Sequence, residues 1–372
     1  MKKYLLLSFL IILAFPAVYA QKKDSIKKFI FREVIILENK SLGEVERMPD
    51  TKENIIYAGK KTEVIQLDKI NADLSTNNTR QVFAKVPGMS IWENDGSGIQ
   101  AGVAARGLSP NRSWEFNVRQ NGYDISSEVF GYPETYYTPP MEALKKIEVT
   151  RGAASLQFGP QFGGVINYQI KKGNPNKPIS YETQQTIGSY GLLNTYNALG
   201  GTYKKFSYYG FLHHRDAEGW RNNSRYSIYT GYFSANYQLT KKIKIEGEYT
   251  KMNYKSQQPG GLTDANYAEN SRQSFRERNW FSAPFNVASL TFIYDISPSV
   301  NLQIKSFATI AERNSVGFTK SITTKDSINP ITLDYNARQV DRDNYKNYGA
   351  EARVAVKYLL KGMPTVFAGG IR

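Results

Sequence analysis

The chain has 372 residues, a formal net charge of +15 and no cysteine, so disulfide staples, thiol catalysis and cysteine-based metal clusters are excluded. Its basic balance suits nucleic acid, anionic lipid headgroups or an anionic ligand. The 26 tyrosines suit a boundary between apolar and wet media, because the ring and the hydroxyl prefer different surroundings.

Residues 1–20 read as a secretory signal peptide. Lys2 and Lys3 precede an apolar run over 4–16, and Val18 and Ala20 place small residues ahead of Gln21. A membrane anchor is the alternative, but the run is too short to span a bilayer as a helix. Export argues against nucleic acid as a partner. No other run approaches a transmembrane helix, so an exported chain that enters a membrane has to do so with strands, whose backbone groups pair internally. Residues 21–54 are expected to be a flexible segment. Within it, Glu33, Val34, Ile35, Ile36 and Leu37 form an extended apolar stretch led by an acid. Such a stretch suits strand addition to a periplasmic partner; an ordinary edge strand or a disordered tail are the alternatives.

Residues 55–172 predict a compact α/β domain, long enough to bury its own core. A helix is expected over 76–86, with polar Thr76, Asn77 and Asn78 at its start, Val82, Phe83 and Val86 on one side, and Pro87-Gly88 at its end. Phe116 and Val118 alternate with polar neighbours, and Asn121-Gly122 signals a tight hairpin. A short helix is expected over 139–145. Ile147 and Val149 then alternate with Glu148 and Thr150 until Arg151-Gly152 breaks the strand, and a final strand is expected over 165–171. Pro175 and Pro178 mark the connection onward.

Residues 173–372 alternate with period two. Ile243, Ile245, Gly247 and Tyr249 oppose Lys244, Glu246, Glu248 and Thr250. Val300, Leu302 and Ile304 oppose Asn301, Gln303 and Lys305, and Tyr348, Ala350, Ala352, Val354, Val356 and Tyr358 oppose Glu351, Arg353 and Lys357. Each strand therefore has one greasy and one wet face. A soluble antiparallel sheet with one buried face alternates equally well. Loop lengths favour a transmembrane β-barrel. Short connections near 239–241, 297–299 and 360–363 alternate with long ones at 213–225, 252–284 and 311–345, as in barrels with short periplasmic turns and long outer loops. Strands are expected to begin near Ile179, Leu192, Phe206, Tyr226, Lys241, Phe285, Ser299, Asn347 and Pro364. An open sheet of nine strands leaves two edges unpaired, so the barrel is expected to be incomplete and the chain a fragment of a longer protein.

Several motifs then carry a resemblance. Arg80-Gln81, Val86-Pro87-Gly88, Arg106-Gly107 with Pro110 and Arg112, the run from Ile147 to Gly152, Ser155, Gly159-Pro160 and Gly163-Gly164-Val165-Ile166-Asn167 resemble the plug domain of TonB-dependent outer-membrane receptors. Gly131-Tyr132-Pro133, Pro160-Gln161 and the segment 257–264 more narrowly resemble the ferric dicitrate receptor branch. The resemblance implies an N-terminal α/β plug domain followed by an antiparallel transmembrane β-barrel in the cell outer membrane. It implies coupling to a TonB-type periplasmic protein through residues 33–37, and import of an anionic iron chelate, ferric citrate first, as cargo and not as a cofactor. It further implies that plug arginines such as Arg106 and Arg151 pair with carboxylates on the inner barrel wall, for which Glu246, Glu248 and Glu351 are candidates. A plug seated on charges and water, with no apolar seam, would move without tearing a core.

Arginine suits carboxylate ligands because its planar fork donates paired hydrogen bonds. The ligand candidates are Arg112 and Arg119 on plug loops, Tyr132 and Glu134 near a plug apex, and Gln257, Gln258, Arg272 and Arg276 in barrel loops, with Arg215, Arg221, Arg225 and Arg278 beside them. His213-His214 adjoin on a strand and point to opposite faces, which disfavours a shared metal. No nucleophile–base set or phosphate loop stands out. Binding and energised transport therefore explain more of the sequence than an enzyme does. The alternatives are a same-fold importer of another siderophore or nutrient, a passive pore or adhesin, and a secreted soluble β protein.

Overall fold

The computed structural model describes residues 45–113, 116–126, 136–152, 157–159 and 163–372, the side chain of Arg112 excepted. The signal segment, the stretch 33–37, Tyr132, Glu134 and the Arg112 side chain lie outside the described residues.

The first part is a mixed sheet with short elements on it. In chain order these are β1 (Val45–Glu46), β2 (Thr51–Lys52), β3 (Ile55–Ile56), β4 (Lys61–Gln66), helix α1 (Thr79–Phe83), β5 (Met89–Glu93), β6 (Ala101–Ala105), β7 (Phe116–Gln120), β8 (Tyr123–Asp124), β9 (Leu144–Arg151) and β10 (Gly164–Ile170). Six of them form one sheet in the order β1-β4-β9-β10-β7-β8, in which only β10 and β7 run parallel. Helix α1 is shorter than expected because Asn78 is already its cap, its side chain accepting from the Gln81 N–H. The residues before it are held in a turn by Asp73, which accepts from the Ser75 and Thr76 amides. Val82 and Phe83 point into the core.

The helix expected over 139–145 is replaced by a single 3-10 turn, Met141–Ala143. Leu144 has already turned extended to begin β9, so sheet pairing takes the residues that a second helical turn would need. Asn121 and Gly122 join β7 to β8 with φ of 45° and 83°, the left-handed pair that a two-residue hairpin requires. Glu148 and Thr150, expected on a wet face, are buried with Ile147 and Val149. Phe158, Val165, Tyr57, Val64 and Met48 form a second apolar cluster, so this sheet has packed residues on both sides.

The second part is one antiparallel sheet of nine strands: β11 (Ser180–Gly188), β12 (Leu192–Tyr203), β13 (Phe206–Ala217), β14 (Tyr226–Gln238), β15 (Ile243–Gln257), β16 (Trp280–Ser297), β17 (Val300–Gly317), β18 (Gln339–Leu360) and β19 (Met363–Ile371). Each pairs with its sequence neighbours, and β11 and β19 stand at the two edges. The only helix here is α2 (Asp264–Glu269), in the long β15–β16 connection. Strand number follows the sequence reading, as do the starts of all strands but β16 and β18, and the three longest connections, after β13, β15 and β17, all lie on one rim.

The strands run further toward that rim than expected. β16 begins at Trp280, where apolar residues fall on both faces, and β18 at Gln339, where both faces are mostly polar, so in each the period-two signal fades while pairing continues. Pro284, the last residue of the loop expected over 252–284, sits within β16, paired to Asn253, and the ladder to β17 resumes only at Phe285.

Outward positions of the nine-stranded sheet carry Leu212, Tyr229, Phe233, Leu290, Ile304 and Tyr348, all exposed. Inward positions pack on the first part, and one continuous apolar cluster runs through both. Ile65, Phe83, Val103, Tyr123, Tyr137 and Ile147 from the first part join Tyr196, Phe211, Ile228, Met252, Phe281, Phe285 and Val287 from the sheet. This corrects the expectation of a seam made only of charges and water. The sheet cannot close its inner face with polar residues alone where a folded domain, and not solvent, fills it.

Candidate functional site

Two features of the inner wall bear on function: the seam with the first domain, and a cavity on the long-loop side. The seam is organised around one buried arginine. Arg119, at the fourth position of β7, is fully buried. Its Nη2 and Nη1 donate to the two oxygens of Glu351 on β18 at 2.7 and 3.2 Å, a bidentate pair. Nε donates to Asn117 at 2.7 Å, Nη1 also to the Gly122 carbonyl at 2.7 Å, and the guanidinium lies over the Phe158 ring at 4.8 Å. Glu351 also accepts from Arg353 at 2.8 Å. Expected to face a ligand, Arg119 instead ties the domain to the wall, its donors taken by Glu351 of β18 and by Asn117, Gly122 and Phe158 of its own domain.

The expected wall partners sort differently from the expected pairs. Arg151 pairs with Glu63 on β4 of its own sheet, and its Nη1 donates to the Pro87 carbonyl at 2.9 Å. Its register opposite Lys61 in the β9–β4 ladder brings it to Glu63 and not to the barrel wall. Arg106 is exposed with φ of 59°, and its guanidinium lies over Gly152. Glu248 does contact the first domain, accepting from Asn121 Nδ2 at 2.6 Å as well as from Tyr232 and Ser289. Lys305 completes that corner by donating to the Asn121 carbonyl at 2.7 Å. Glu246 pairs with Lys244 and, at 3.7 Å, with Lys172 of the connecting segment.

Toward the long-loop rim the seam is a set of mixed contacts. Arg215 of β13 is fully buried and donates to the Ser75 and Ser97 carbonyls. Asn194 of β12 donates to Glu142 at 2.6 Å and to Ser75 O at 2.8 Å. Tyr254 of β15 donates to Asp95. Burial pushes the Asp95 and Glu142 carboxyls above their ordinary range, against the hydrogen bonds that both accept. Tyr137 stacks on Phe285 with centroids 5.0 Å apart.

The cavity on the long-loop side, of about 350 Å³, is lined by Asn94, Gln100 and Tyr136 from the first domain and by Gln258, Asn279 and Arg313 from the wall. Arg313 donates to Tyr136 Oη at 3.1 Å and to Asp343 at 3.0 Å. It was missed because its strand was read as loop, and a lone arginine there carries no distinguishing signal. Gln258 lines this cavity as the sequence suggested, whereas Gln257 ends β15 and accepts from the Arg225 amide at 3.3 Å.

The remaining loop arginines are occupied. Arg276 is buried and donates to the carbonyls of Lys320, Ser321 and Thr324, pinning the β17–β18 loop to its own. Arg278 and Arg338 converge on Asp326. Burial raises the Asp326 carboxyl, but the two arginine bonds outweigh it and hold it below the usual range. Arg272 donates to the Trp220 carbonyl at 2.6 Å and lies over the Tyr190 ring, and Arg221 donates to Gly260 O and Gln273 O. These two long loops offer unpaired carbonyls in number, and arginine is the side chain that satisfies several at once. His213 is buried inward while His214 stacks on Tyr229 outside, the opposed arrangement expected of strand neighbours.

A small domain fixed by an arginine–carboxylate clamp against an antiparallel sheet defines a class, that of plug-and-barrel folds. Residues 57–165 match the family described as TonB-dependent Receptor Plug Domain, and the described residues have the fold of a TonB-dependent receptor's plug with part of its barrel. Similar solved structures include the ferric citrate transporter FecA in its unliganded form, at 21% identity over 81% of this chain and 45% of that one, with a TM-score of 0.67. The ferric-catecholate import receptor Fiu from E. coli K12 is 12% identical over 86% of this chain and 50% of its own, with a TM-score of 0.64. The copper transporter OprC is 14% identical over 86% and 46%, with a TM-score of 0.63. The chain spans about half the length of these structures.

Proposed function

We propose that the protein is an outer-membrane receptor that imports an iron chelate, with ferric citrate as the cargo and a TonB-type periplasmic protein as the source of energy. The observation that carries this reading is the cavity lined jointly by the plug and the wall. It opens toward the long loops and gathers Arg313, Gln100, Gln258, Asn94 and Asn279. Amides and a guanidinium suit a carboxylate-rich anion, which needs several donors and at least one positive charge. The plug match and the fold shared with a ferric citrate transporter support the same reading. Coupling is assigned to Glu33, Val34, Ile35, Ile36 and Leu37, an extended segment suited to strand addition.

The test is uptake of radiolabelled ferric citrate under iron limitation, in cells whose own receptor is deleted and replaced by the intact gene. Uptake that depends on the gene is expected. Arg313→Ala should raise the half-saturating concentration about tenfold, the equivalent of about 1.4 kcal/mol. Gene-independent uptake rejects the cargo, and uptake that survives deletion of residues 33–37 rejects energy coupling in favour of a passive pore. A second reading, another chelate, is favoured by the near-equal likeness to receptors whose names give different cargoes. Competition of ferric citrate uptake by a ferric catecholate separates the two.

A further inference from the structure

The cavity shared by plug and wall has a polarity that its composition alone does not reveal. Asp95, on the plug loop beside it, ends a chain of hydrogen bonds. It accepts from the Ser97 amide at 3.0 Å, the Ser97 hydroxyl at 2.6 Å, the Gln100 side chain at 3.3 Å and the Tyr254 hydroxyl. Tyr254 has one proton and gives it to Asp95. Its contact with Ser256 Oγ at 2.9 Å therefore takes the serine's proton, and Ser256 in turn accepts from Gln258 Nε2 at 2.7 Å. Gln100 Nε2 also donates to Tyr254 Oη at 3.2 Å, so both of its protons are spent.

One carboxylate thus orients two glutamines, Gln100 of the plug directly and Gln258 of the wall through two hydroxyls. Their nitrogens face the chain, and their oxygens are left for the cavity that both residues line. Asn279 is fixed the other way round. Its Oδ1 accepts from the Phe318 amide at 2.9 Å and from Arg338 at 3.1 Å, groups that only donate, so Nδ2 is left for the cavity. Arg313 spends Nε on Tyr136 and Nη1 on Asp343, and Nη2 remains. The groups held in orientation are therefore two acceptors, Gln100 Oε1 and Gln258 Oε1, and two donors, Asn279 Nδ2 and Arg313 Nη2.

We infer that the cavity selects a chelate that carries hydrogen-bond donors as well as carboxylates. Un-ionised hydroxyls, or water bound to the iron, lie against Gln100 and Gln258, and carboxylate oxygens lie against Arg313 and Asn279. Asp95 does not line the cavity and acts as the positioning residue that sets this choice. The inference rests on the cargo reading above and narrows it. A ligand with carboxylates alone turns bare oxygens toward two carbonyls, which repel it and stay unpaired. A site built around a hydroxyl rejects the analogue without one for this reason. Because the cavity opens to water, the penalty is about tenfold, below that of a sealed site.

The experiment is isothermal titration calorimetry of the full chain in micelles with three probes: ferric citrate, citrate, and tricarballylate, which has the carboxylates of citrate but no hydroxyl. Wild-type protein should bind citrate about tenfold tighter than tricarballylate. In D95N the new amide donates as well as accepts, both glutamines can turn, and the ratio should fall below about threefold. S256A cuts only the branch to Gln258 and should give an intermediate ratio. Damage to the fold would lower both affinities together and leave their ratio alone. Equal binding of citrate and tricarballylate by the wild type, or an unchanged ratio in either variant, overturns the inference. Binding of ferric citrate with neither metal-free probe bound overturns this inference alone. Binding of none of the three overturns the cargo reading and this inference together.

Discussion

Replacing Glu351 by glutamine tests how the plug is held. The substitution keeps the size and one carbonyl acceptor but removes the charge that faces Arg119. Arg119 is fully buried and keeps Asn117, the Gly122 carbonyl and the Phe158 carbonyl as partners, none of them charged. A buried cation left without its counter-ion costs about 3–5 kcal/mol. The lower end applies, since Arg119 retains neutral acceptors. At about 3 kcal/mol the population of unseated plug rises roughly a hundredfold. Hydrogen exchange of the β7 and β10 amides, read by mass spectrometry in micelles, measures it. Arg119→Met should cost less than Glu351→Gln, because Glu351 keeps Arg353 at 2.8 Å. The double variant should be less damaging than the sum, with a coupling above about 1 kcal/mol. The reasoning fails if Glu351→Gln changes exchange no more than Glu246→Gln, whose carboxylate pairs only with the lysines Lys244 and Lys172.

Three further outcomes are expected. Gly164→Ala should destabilise the plug by on the order of 3 kcal/mol or more, because φ is +130° and a Cβ would stand 2.0 Å from the Thr150 carbonyl; urea titration of plug exchange reads it. Arg276→Gln should free the β17–β18 loop by about 2–3 kcal/mol, seen as tryptic cleavage at Lys320 and Lys325 at least tenfold faster with the plug unaffected. Glu142 has its carboxyl raised by burial, so its contribution to plug seating is fully present below the ordinary carboxyl pKa and is lost as pH rises through the raised value. Glu142→Gln should therefore stabilise the seated plug at neutral pH and flatten that pH dependence, whereas slower exchange of the wild type on going from acid to neutral would contradict the sign.

Much of the architecture was legible because period two survives wherever one face of a strand is apolar and the other polar. Ile243, Ile245, Gly247 and Tyr249 against Lys244, Glu246 and Glu248 is such a case, and the strands built on it fall where expected. The signal fails at the rim. From Gln339 to Lys346 both faces of β18 are wet, so pairing with β17 leaves no trace in hydropathy. It fails again for the 139–145 helix, where competition from the β9 ladder is decided by partners distant in sequence. The candidate site was harder to read. That an arginine would clamp the plug to a wall glutamate was foreseeable, but Arg119 and not Arg106 or Arg151 does so, since the choice depends on which plug strand faces β18. Arg276 looked like a ligand residue for the reason that makes it a loop tie: a guanidinium seeks oxygens, and sequence cannot say whose.

The shared apolar cluster constrains any passage past the plug. Met252, Tyr254, Phe281, Phe285 and Val287 would all meet water if the whole plug departed. At roughly 2 kcal/mol for each such side chain, wetting these five alone costs on the order of 10 kcal/mol, comparable with the entire stability of a small domain. If, as proposed, a periplasmic partner pulls on the plug, that work is better spent unravelling one strip than extracting a cork. The strip with fewest greasy anchors is the corner of Asn54, Asn121, Glu248 and Lys305, where a wet hollow already opens toward the short turns.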